Sequence, residues 1–167
     1  MINSEIEKYE YFMRLAIEQA KLAASIGEVP VGAVITKDNK VVATAFNRRE
    51  IVKNALCHAE ADVIGKACEV LGGWRLWQCE LYVTLEPCPM CTGAIINARI
   101  PKVIFGAYDG KAGSCGSVVN LFDFPYNHKA EIIGGVLEEE CSELLREFFR
   151  QLREKRKEFN RRNTSQQ

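Results

Sequence analysis

Two short motifs limit how this chain can fold. The first is His58-Ala59-Glu60, and the second is Pro87-Cys88-Pro89-Met90-Cys91. One imidazole and two thiolates are ligand types that Zn²⁺ prefers, and three protein ligands leave a fourth tetrahedral position open to water. The fold must therefore bring two distant segments to one point. We predict one Zn²⁺ per subunit, held by His58, Cys88 and Cys91.

Glu60 is the candidate catalytic residue beside this site. A zinc ion with an open position lowers the pKa of its water toward ~7, which makes a nucleophile available at neutral pH. Glu60 lies close to His58 but is not needed as a ligand. It is therefore free to carry protons.

The cysteine pair taken alone also fits a redox pair or half of a closed structural zinc site. A redox pair has no use for the His-x-Glu motif upstream. A closed site needs a further thiolate, and the remaining candidates are Cys57, Cys68, Cys79, Cys115 and Cys141. Cys57 is adjacent to His58, so we expect their side chains to diverge and Cys57 to be an inert buried thiol. The ligand count favours an open, catalytic site.

Length and composition predict a single domain over residues 1–167. A chain of 167 residues, 47% of them hydrophobic, buries roughly two-thirds of its unfolded surface and is typical of soluble globular proteins. No apolar run approaches the ~18 residues of a membrane span, and the acidic N-terminus lacks the apolar core of a signal peptide. Seven cysteines without a secretion signal predict a reduced, cytoplasmic setting.

The formal net charge of zero conceals a basic C-terminus. Residues 150–167 contain seven basic and two acidic side chains, a local balance of +5. Such a segment often binds nucleic acid through its phosphates. It is equally compatible with a solvated helix end whose cations complement the helix dipole. Charge alone does not decide between these interpretations.

The hydrophobic pattern predicts nine elements in the order α-β-β-α-β-α-β-β-α. They are helix 5–26, strands 31–36 and 41–45, helix 58–71, strand 81–85, helix 88–98, strand 103–107, a short strand at 131–133 and a helix from 138 to about 159. This order indicates a three-layer α/β/α sandwich with a mixed five-stranded sheet, antiparallel at its first hairpin and parallel later.

The predicted elements place both ligand motifs at helix N-termini. His58 and Cys88 each begin a helix, where the positive end of the helix dipole favours thiolates. Cys88 and Cys91 are three residues apart and therefore share one helical face. The surrounding free backbone N–H groups could stabilise negative charge that develops on a substrate ring.

The combination H-x-E…P-C-x-x-C is the signature of the zinc deaminases, and the whole chain resembles the bacterial tRNA-specific adenosine deaminases (the TadA family) within the cytidine deaminase-like superfamily. The matching stretches are Glu28–Val34, His58-Ala59-Glu60, Leu81–Cys88, Phe105-Gly106-Ala107, Asp109, Lys111, Gly113, Asn127-His128 and the helix from Cys141 to Phe149. The segments around Asp109 and Asn127-His128 resemble the tRNA branch in particular.

The resemblance implies a homodimeric hydrolase that converts adenosine to inosine at the first (wobble) anticodon position of tRNA and releases ammonia. It also implies that the last helix, which together with the basic tail spans about 138–167, contacts phosphates. The positions that it assigns to the anticodon-loop site are Asn47 at the flipped base, Asp109 near the neighbouring nucleotide, and Lys111, Asn127 and His128. Ala59 is a further candidate substrate-binding residue. At position 57 the family commonly has a small aliphatic residue, where this chain has Cys57.

Without the resemblance these assignments have simpler alternatives. Asn47 at a strand end is usually a turn former, Asp109 beside a glycine is a turn by default, and His128 also fits a hydrogen-bonded core histidine. Two other functions remain open: a free nucleobase deaminase acting on guanine or cytosine, and a non-catalytic RNA-binding module stabilised by zinc.

Overall fold

The computed structural model describes residues 4–164. Its helices are α1 (Glu5–Ser25), α2 (Arg49–Val52), α3 (Ala59–Leu71), α4 (Pro89–Ala98) and α5 (Glu138–Thr164), and its strands are β1 (Gly32–Lys37), β2 (Lys40–Phe46), β3 (Cys79–Leu85), β4 (Lys102–Ala107) and β5 (Glu131–Ile133). A 3₁₀ turn at Leu121–Asp123 follows the long loop after β4. Apart from α2 and this turn, the order of elements is the one that the sequence predicts.

The five strands form one mixed sheet in the order β2-β1-β3-β4-β5. Strand β1 is antiparallel to both β2 and β3, whereas β3, β4 and β5 are parallel to one another. Helix α4 connects the parallel strands β3 and β4, as a crossover between parallel strands requires. The prediction of a mixed five-stranded α/β fold is confirmed.

Alternate residues of the central strands fill two separate cores. On one face, α3 and α4 pack through Ala59, Val63, Ala67, Ile95 and Ile96 against Ala33, Ile35, Leu81, Val83, Val103 and Phe105. On the other face, α1 and α5 pack through Tyr9, Phe12, Met13, Ala16, Ile17 and Cys141 against Val34, Tyr82, Ile104 and Ala107. Successive strand side chains point to opposite faces, so strands buried on both sides produce the three layers.

Gly32 allows α1 to lie directly on the sheet. A Cβ atom at this position would lie 2.0 Å from the carbonyl oxygen of Ala16 and 2.4 Å from the amide nitrogen of Ala20. Both atoms belong to the helix backbone, which cannot move aside without shifting α1. The close packing of α1 on β1 therefore depends on the missing side chain.

Helix α5 is longer than the sequence predicts. It continues to Thr164 rather than ending near Phe159. Its exposed half is rich in Glu, Lys and Arg, and Arg150 pairs with Glu147 and Glu154 one turn away on either side. Such pairs support a solvent-exposed helix. The described part of the chain contains no helix with the length and apolar composition needed to cross a bilayer.

Candidate metal centre and active site

His58, Cys88 and Cys91 meet at one point. The Sγ atoms of Cys88 and Cys91 lie 3.7 and 3.6 Å from Nδ1 of His58, and the candidate ligand atoms all lie within 4.8 Å of one another. This trio is the one group of three or more potential ligands among residues 4–164. No fourth cysteine joins it, which is the arrangement of an open rather than a closed zinc site.

The two helix starts that the sequence predicts create this geometry. His58 is the residue that precedes α3, and Cys88 is the residue that precedes α4; both have extended backbone conformations. Pro89 occupies the first position of α4, where its fixed φ suits a helix start. Cys91 follows within the first turn of α4 and is fully buried. Helices α3 and α4 each begin one residue later than predicted, so that His58 and Cys88 are their N-cap residues.

The distances within the trio fit Zn²⁺. Zinc bonds of ~2.3 Å to sulfur and ~2.0–2.1 Å to nitrogen, at tetrahedral angles, separate sulfur from nitrogen by about 3.5–3.6 Å. The two observed distances are close to that value. Nδ1 of His58 is the ring nitrogen that faces both sulfur atoms. The residues present therefore fit a three-ligand zinc centre.

Contacts within the trio shift the pKa values of its members. Hydrogen bonding from Cys91, with a further contribution from His58, lowers the pKa of Cys88 to about 4. The same contact raises the pKa of Cys91, so the pair keeps its proton on Cys91. A hydrogen bond to Cys88 also raises the pKa of His58. Zinc binds cysteine as the thiolate, so coordination would release the protons that these thiols carry.

Glu60 lies in the first turn of α3 and is 4% exposed. Burial raises the pKa of this carboxyl group to about 7, and its side chain faces the Cys91 thiol. A carboxyl group of this kind can both accept and donate a proton near neutral pH. Its position next to the trio is the arrangement that proton transfer to and from a metal-side reactant requires.

A cavity of about 290 Å³ opens beside the trio. Its lining residues come from six segments of the chain: Val29, Val31, Asn47, Arg49, His58, Ala59, Glu60, Leu85, Glu86, Cys88, Asp109, Ala112 and Phe149. We call it the active-site cavity. The fold thus brings Asn47, Ala59 and Asp109 together with Glu60 and two of the candidate metal ligands.

Asn47 is held rigidly at the wall of this cavity. Its Nδ2 donates hydrogen bonds to the carbonyl oxygen of Val29 at 3.2 Å and to Oε2 of Glu28 at 3.5 Å. Its Oδ1 accepts from the amide of Arg49, the turn contact expected from residue type alone. Asp109 behaves similarly, because its Oδ1 accepts from the amides of Lys111 and Ala112.

The structure does not bring Lys111, Asn127 and His128 into the active-site cavity. Lys111 lies in a neighbouring groove with residues of α5, including Arg153 and Phe149, and Phe149 lines both spaces. Asn127 is exposed. His128 lies beside Arg75 and Arg99 in another hollow, where its Nε2 donates to the carbonyl oxygen of Ile100 at 2.7 Å. Their role at the RNA stays a prediction.

Comparison with known proteins agrees with this site. Residues 6–153 match the model of the MafB19-like deaminase family. The tRNA-specific adenosine deaminase of Bacillus subtilis (strain 168) is 50% identical over 149 residues, which are 89% of this chain and 92% of that protein. The chain belongs to the tRNA-specific adenosine deaminase family.

Solved structures place this deaminase among the same relatives. A structure from a study of A-to-I editing by tRNA:A34 deaminases at the wobble position is 43% identical, with a TM-score of 0.79, and the match covers 81% of this chain and 99% of that one. A guanine deaminase from Bacillus subtilis is 41% identical with a TM-score of 0.58, but the match covers only 59% of this chain and 64% of that one.

Sequence reasoning overlooked two buried acidic residues of the deaminase, one that lines the active-site cavity and one that contacts Asn47 in its wall. Glu28 is completely buried, and its Oε1 accepts from the amide of Ile51 at 2.6 Å while Oε2 receives Asn47. Glu86, 1% exposed, receives four hydrogen bonds. Acidic residues are rarely buried, so only tertiary structure singles them out. Cys57 is half-buried, not fully buried as expected.

Proposed function

We propose that this protein is a zinc-dependent hydrolase that converts adenosine to inosine at the first anticodon position of tRNA and releases ammonia. The observation that supports this most is that the open trio of His58, Cys88 and Cys91 lies next to buried Glu60, beside one cavity. Membership of the tRNA-specific adenosine deaminase family supports the choice of substrate. In this proposal residues 1–167 act as one deaminase domain.

The chemistry divides between the metal and Glu60. Bound Zn²⁺ supplies Lewis-acid chemistry, which lowers the pKa of water toward ~7. Glu60 accepts the proton of the attacking water and delivers it to N1 of the adenine ring while the oxygen adds to C6. Glu60 then carries the second proton to the departing amino group. The balance is adenosine plus water to inosine plus ammonia.

The base must leave its stack to reach the cavity. An anticodon loop offers a base that is already single-stranded, which reduces that cost. Asn47 and Ala59 are proposed to hold the flipped base, and Asp109 the neighbouring nucleotide. Phe149 offers an aromatic face at the entrance between the two spaces that it lines. Bases unstacked from a loop commonly stack on such side chains.

Contacts to RNA outside the cavity are proposed for Lys111, Asn127, His128 and the basic half of α5. Arg146 and Arg150 are already paired with glutamates of the same helix. We assign phosphate binding to the basic half of α5, beginning with Arg153, which lies in the groove beside Lys111. Each phosphate neutralised makes affinity more dependent on salt.

We also infer that the protein acts as a homodimer in the cytoplasm. The segment around α2 exposes Ile51, Val52 and Leu56 to 56%, 44% and 62%, an apolar group that a second copy can cover. Light scattering should give the mass of two chains for the unaltered protein. An Ile51→Glu, Leu56→Glu double variant should give the mass of one.

The test of function is incubation with an anticodon stem-loop that carries adenosine at its first anticodon position, followed by mass analysis for inosine. Free adenosine, cytidine and guanine serve as parallel substrates. We expect inosine in the stem-loop, together with an affinity that falls steeply as salt rises. Product from the free compounds alone would support the nucleobase-deaminase alternative. A fourth sulfur ligand in zinc spectroscopy would support the non-catalytic RNA-binding module.

A further inference from the structure

The Glu86 side chain joins the two segments that form one wall of the active-site cavity. It directly precedes Pro87 and the ligand Cys88, and it is 1% exposed. Its backbone amide donates to the carbonyl oxygen of Ala107 at 2.8 Å, which fixes it at the end of the parallel pair β3 and β4. The carboxylate extends from this anchored position toward the loop after β4.

All four groups that donate to the carboxylate belong to that loop. Oε1 accepts from the amides of Cys115 at 3.1 Å and Ser117 at 3.0 Å. Oε2 accepts from the amide of Asp109 at 3.0 Å and from the hydroxyl of Ser117. One charged group therefore fixes the loop at its beginning and near its middle.

The loop is shaped to fit around this carboxylate. A Cβ atom on Gly113 would lie 2.4 Å from Oε2 of Glu86. The amide of Ser114 donates to the carbonyl oxygen of Pro87 at 2.9 Å, so the loop also holds the residue between Glu86 and Cys88. Asp109 and Ala112 from the same loop line the active-site cavity.

Glu86 has no cation partner among residues 4–164, and hydrogen bonds hold its charge instead. Hydrogen bonds to an ionised carboxylate are about twice as strong as neutral ones. Loss of the Glu86 carboxylate would therefore free several amides of the loop together.

We propose that Glu86 is a positioning residue for substrate binding: it holds the loop after β4, which contains Asp109, at a fixed distance from Cys88 at the start of α4. This rests on the proposed function, because the loop matters to catalysis only if Asp109 meets the substrate. The rival explanation is that Glu86 merely stabilises the fold. The two differ in whether its loss acts through Asp109.

Glu86→Gln should keep some of the hydrogen bonds from the loop and break others, because the glutamine amide has only one acceptor oxygen. If that oxygen replaces Oε1, it still accepts from Cys115 and Ser117. The NH₂ group then faces the amide of Asp109, while the Ser117 hydroxyl can reverse and accept. The substitution should therefore release Asp109 in particular. Ser117→Ala is the matched control, since it removes one hydroxyl and leaves Oε2 to receive Asp109.

The direct readout is hydrogen exchange of assigned amides in the zinc-loaded protein. We expect Glu86→Gln to speed exchange at Asp109 by about tenfold or more, with Ser117→Ala producing a smaller change. Zinc content should remain one per chain in both variants. Unchanged exchange at Asp109 in folded Glu86→Gln would overturn the proposal. If that variant does not fold, hydrogen exchange in the unaltered protein tests the proposal. The amides of Asp109, Cys115 and Ser117 should then exchange at a common rate, because one carboxylate holds all three, and unrelated rates would overturn the proposal.

The kinetic readout uses the anticodon stem-loop. Glu86→Gln should raise KM about tenfold and change kcat less, because it loosens a binding element and leaves Glu60 in place. In a double-mutant cycle with Asp109→Ala, the two effects on KM should not add. Additive effects would show that Glu86 acts independently of Asp109 and overturn the proposal. If the unaltered protein forms no inosine, the proposed function fails, while hydrogen exchange still tests the loop contact.

Discussion

The Sγ atom of Cys88 lies 3.7 Å from Nδ1 of His58, with the N-termini of α4 and α3 directed at the same point. This is close to the sulfur-to-nitrogen edge of a zinc tetrahedron. Two helix starts are rigid supports, so the separation is set by the packing of α3 and α4 on the sheet. The ligand positions are therefore part of the fold and do not depend on the metal to gather them.

Removal of zinc should abolish deamination and leave the fold largely in place. We expect the purified protein to hold one zinc per chain by metal analysis and to regain inosine formation when Zn²⁺ is added back after chelation. Cys91→Ser should lose most of its zinc, because the substitution removes one of the two thiolates of the proposed site. Cys68→Ser, in α3 but outside the trio, is the control and should keep its zinc. Full activity of a zinc-free sample would refute the metal assignment.

Glu60→Gln should retain zinc but lose activity. The amide has nearly the shape of the carboxyl group, but it cannot take up and return protons. We expect kcat on the stem-loop to fall about 10²–10⁴-fold, the usual contribution of general acid–base catalysis. Single-turnover inosine formation measures this loss. A variant that keeps both its zinc and its rate would mean that another group transfers the protons.

Gly32→Ala should destabilise the protein severely. The added methyl group would overlap the backbone of α1, so the helix must shift away from β1. Overpacking of this kind costs about 1–3 kcal/mol or more. Gly65→Ala is the matched control, because a Cβ there meets nothing within 4 Å and position 65 is inside α3. That change should stabilise by about 0.5–1 kcal/mol. Urea unfolding of both zinc-loaded variants measures the difference.

Stability at alkaline pH should depend on Cys141. This thiol is 1% exposed, and burial raises its pKa from a usual value near 9 to about 12. Between these values the unfolded thiol ionises and the folded one does not. The folded state then binds more protons, and its stability falls as pH rises.

The slope of stability against pH measures this contribution. Between about pH 10 and 11, the free energy of unfolding should fall about 1 kcal/mol per pH unit more steeply in the unaltered protein than in Cys141→Ala. Urea unfolding at several pH values gives both slopes, and comparison of the slopes cancels any constant loss from the missing sulfur. Parallel slopes would mean that the folded protein exposes the thiol.

The sequence predicts most of the fold because its signals are local. Periodic apolar residues identify the helices and strands from their own sequences, and the structure adds local features of the same kind: Ser4 caps α1, and Asp38 and Asn39 adopt the left-handed backbone of the turn between β1 and β2. The four-residue helix α2 has no such signal and forms where Glu28, distant in the sequence, receives the amide of Ile51. The position of α2 is therefore determined by tertiary contacts and cannot be predicted from its local sequence.

The same limit applies to the site. His58, Cys88 and Cys91 are identifiable because they are ligand types that zinc prefers, and Glu60 because it lies two residues from His58 and is not needed as a ligand. Glu86 acts through loop amides, which any sequence supplies, and no residue pattern marks such a contact. The position of His128, in a hollow separate from the active-site cavity, also follows from the path of the loop after β4 and not from its own neighbours.

The most direct test of the proposed hydrolysis is deamination in ¹⁸O-labelled water. The zinc-loaded protein is incubated with the stem-loop bearing adenosine at the first anticodon position, and the product nucleoside is analysed by mass spectrometry. Hydrolysis predicts inosine with one ¹⁸O atom at C6 and one ammonia released per inosine, with no product from Glu60→Gln in the same time. Unlabelled inosine, or adenosine left intact while free bases are deaminated, would contradict the proposed reaction.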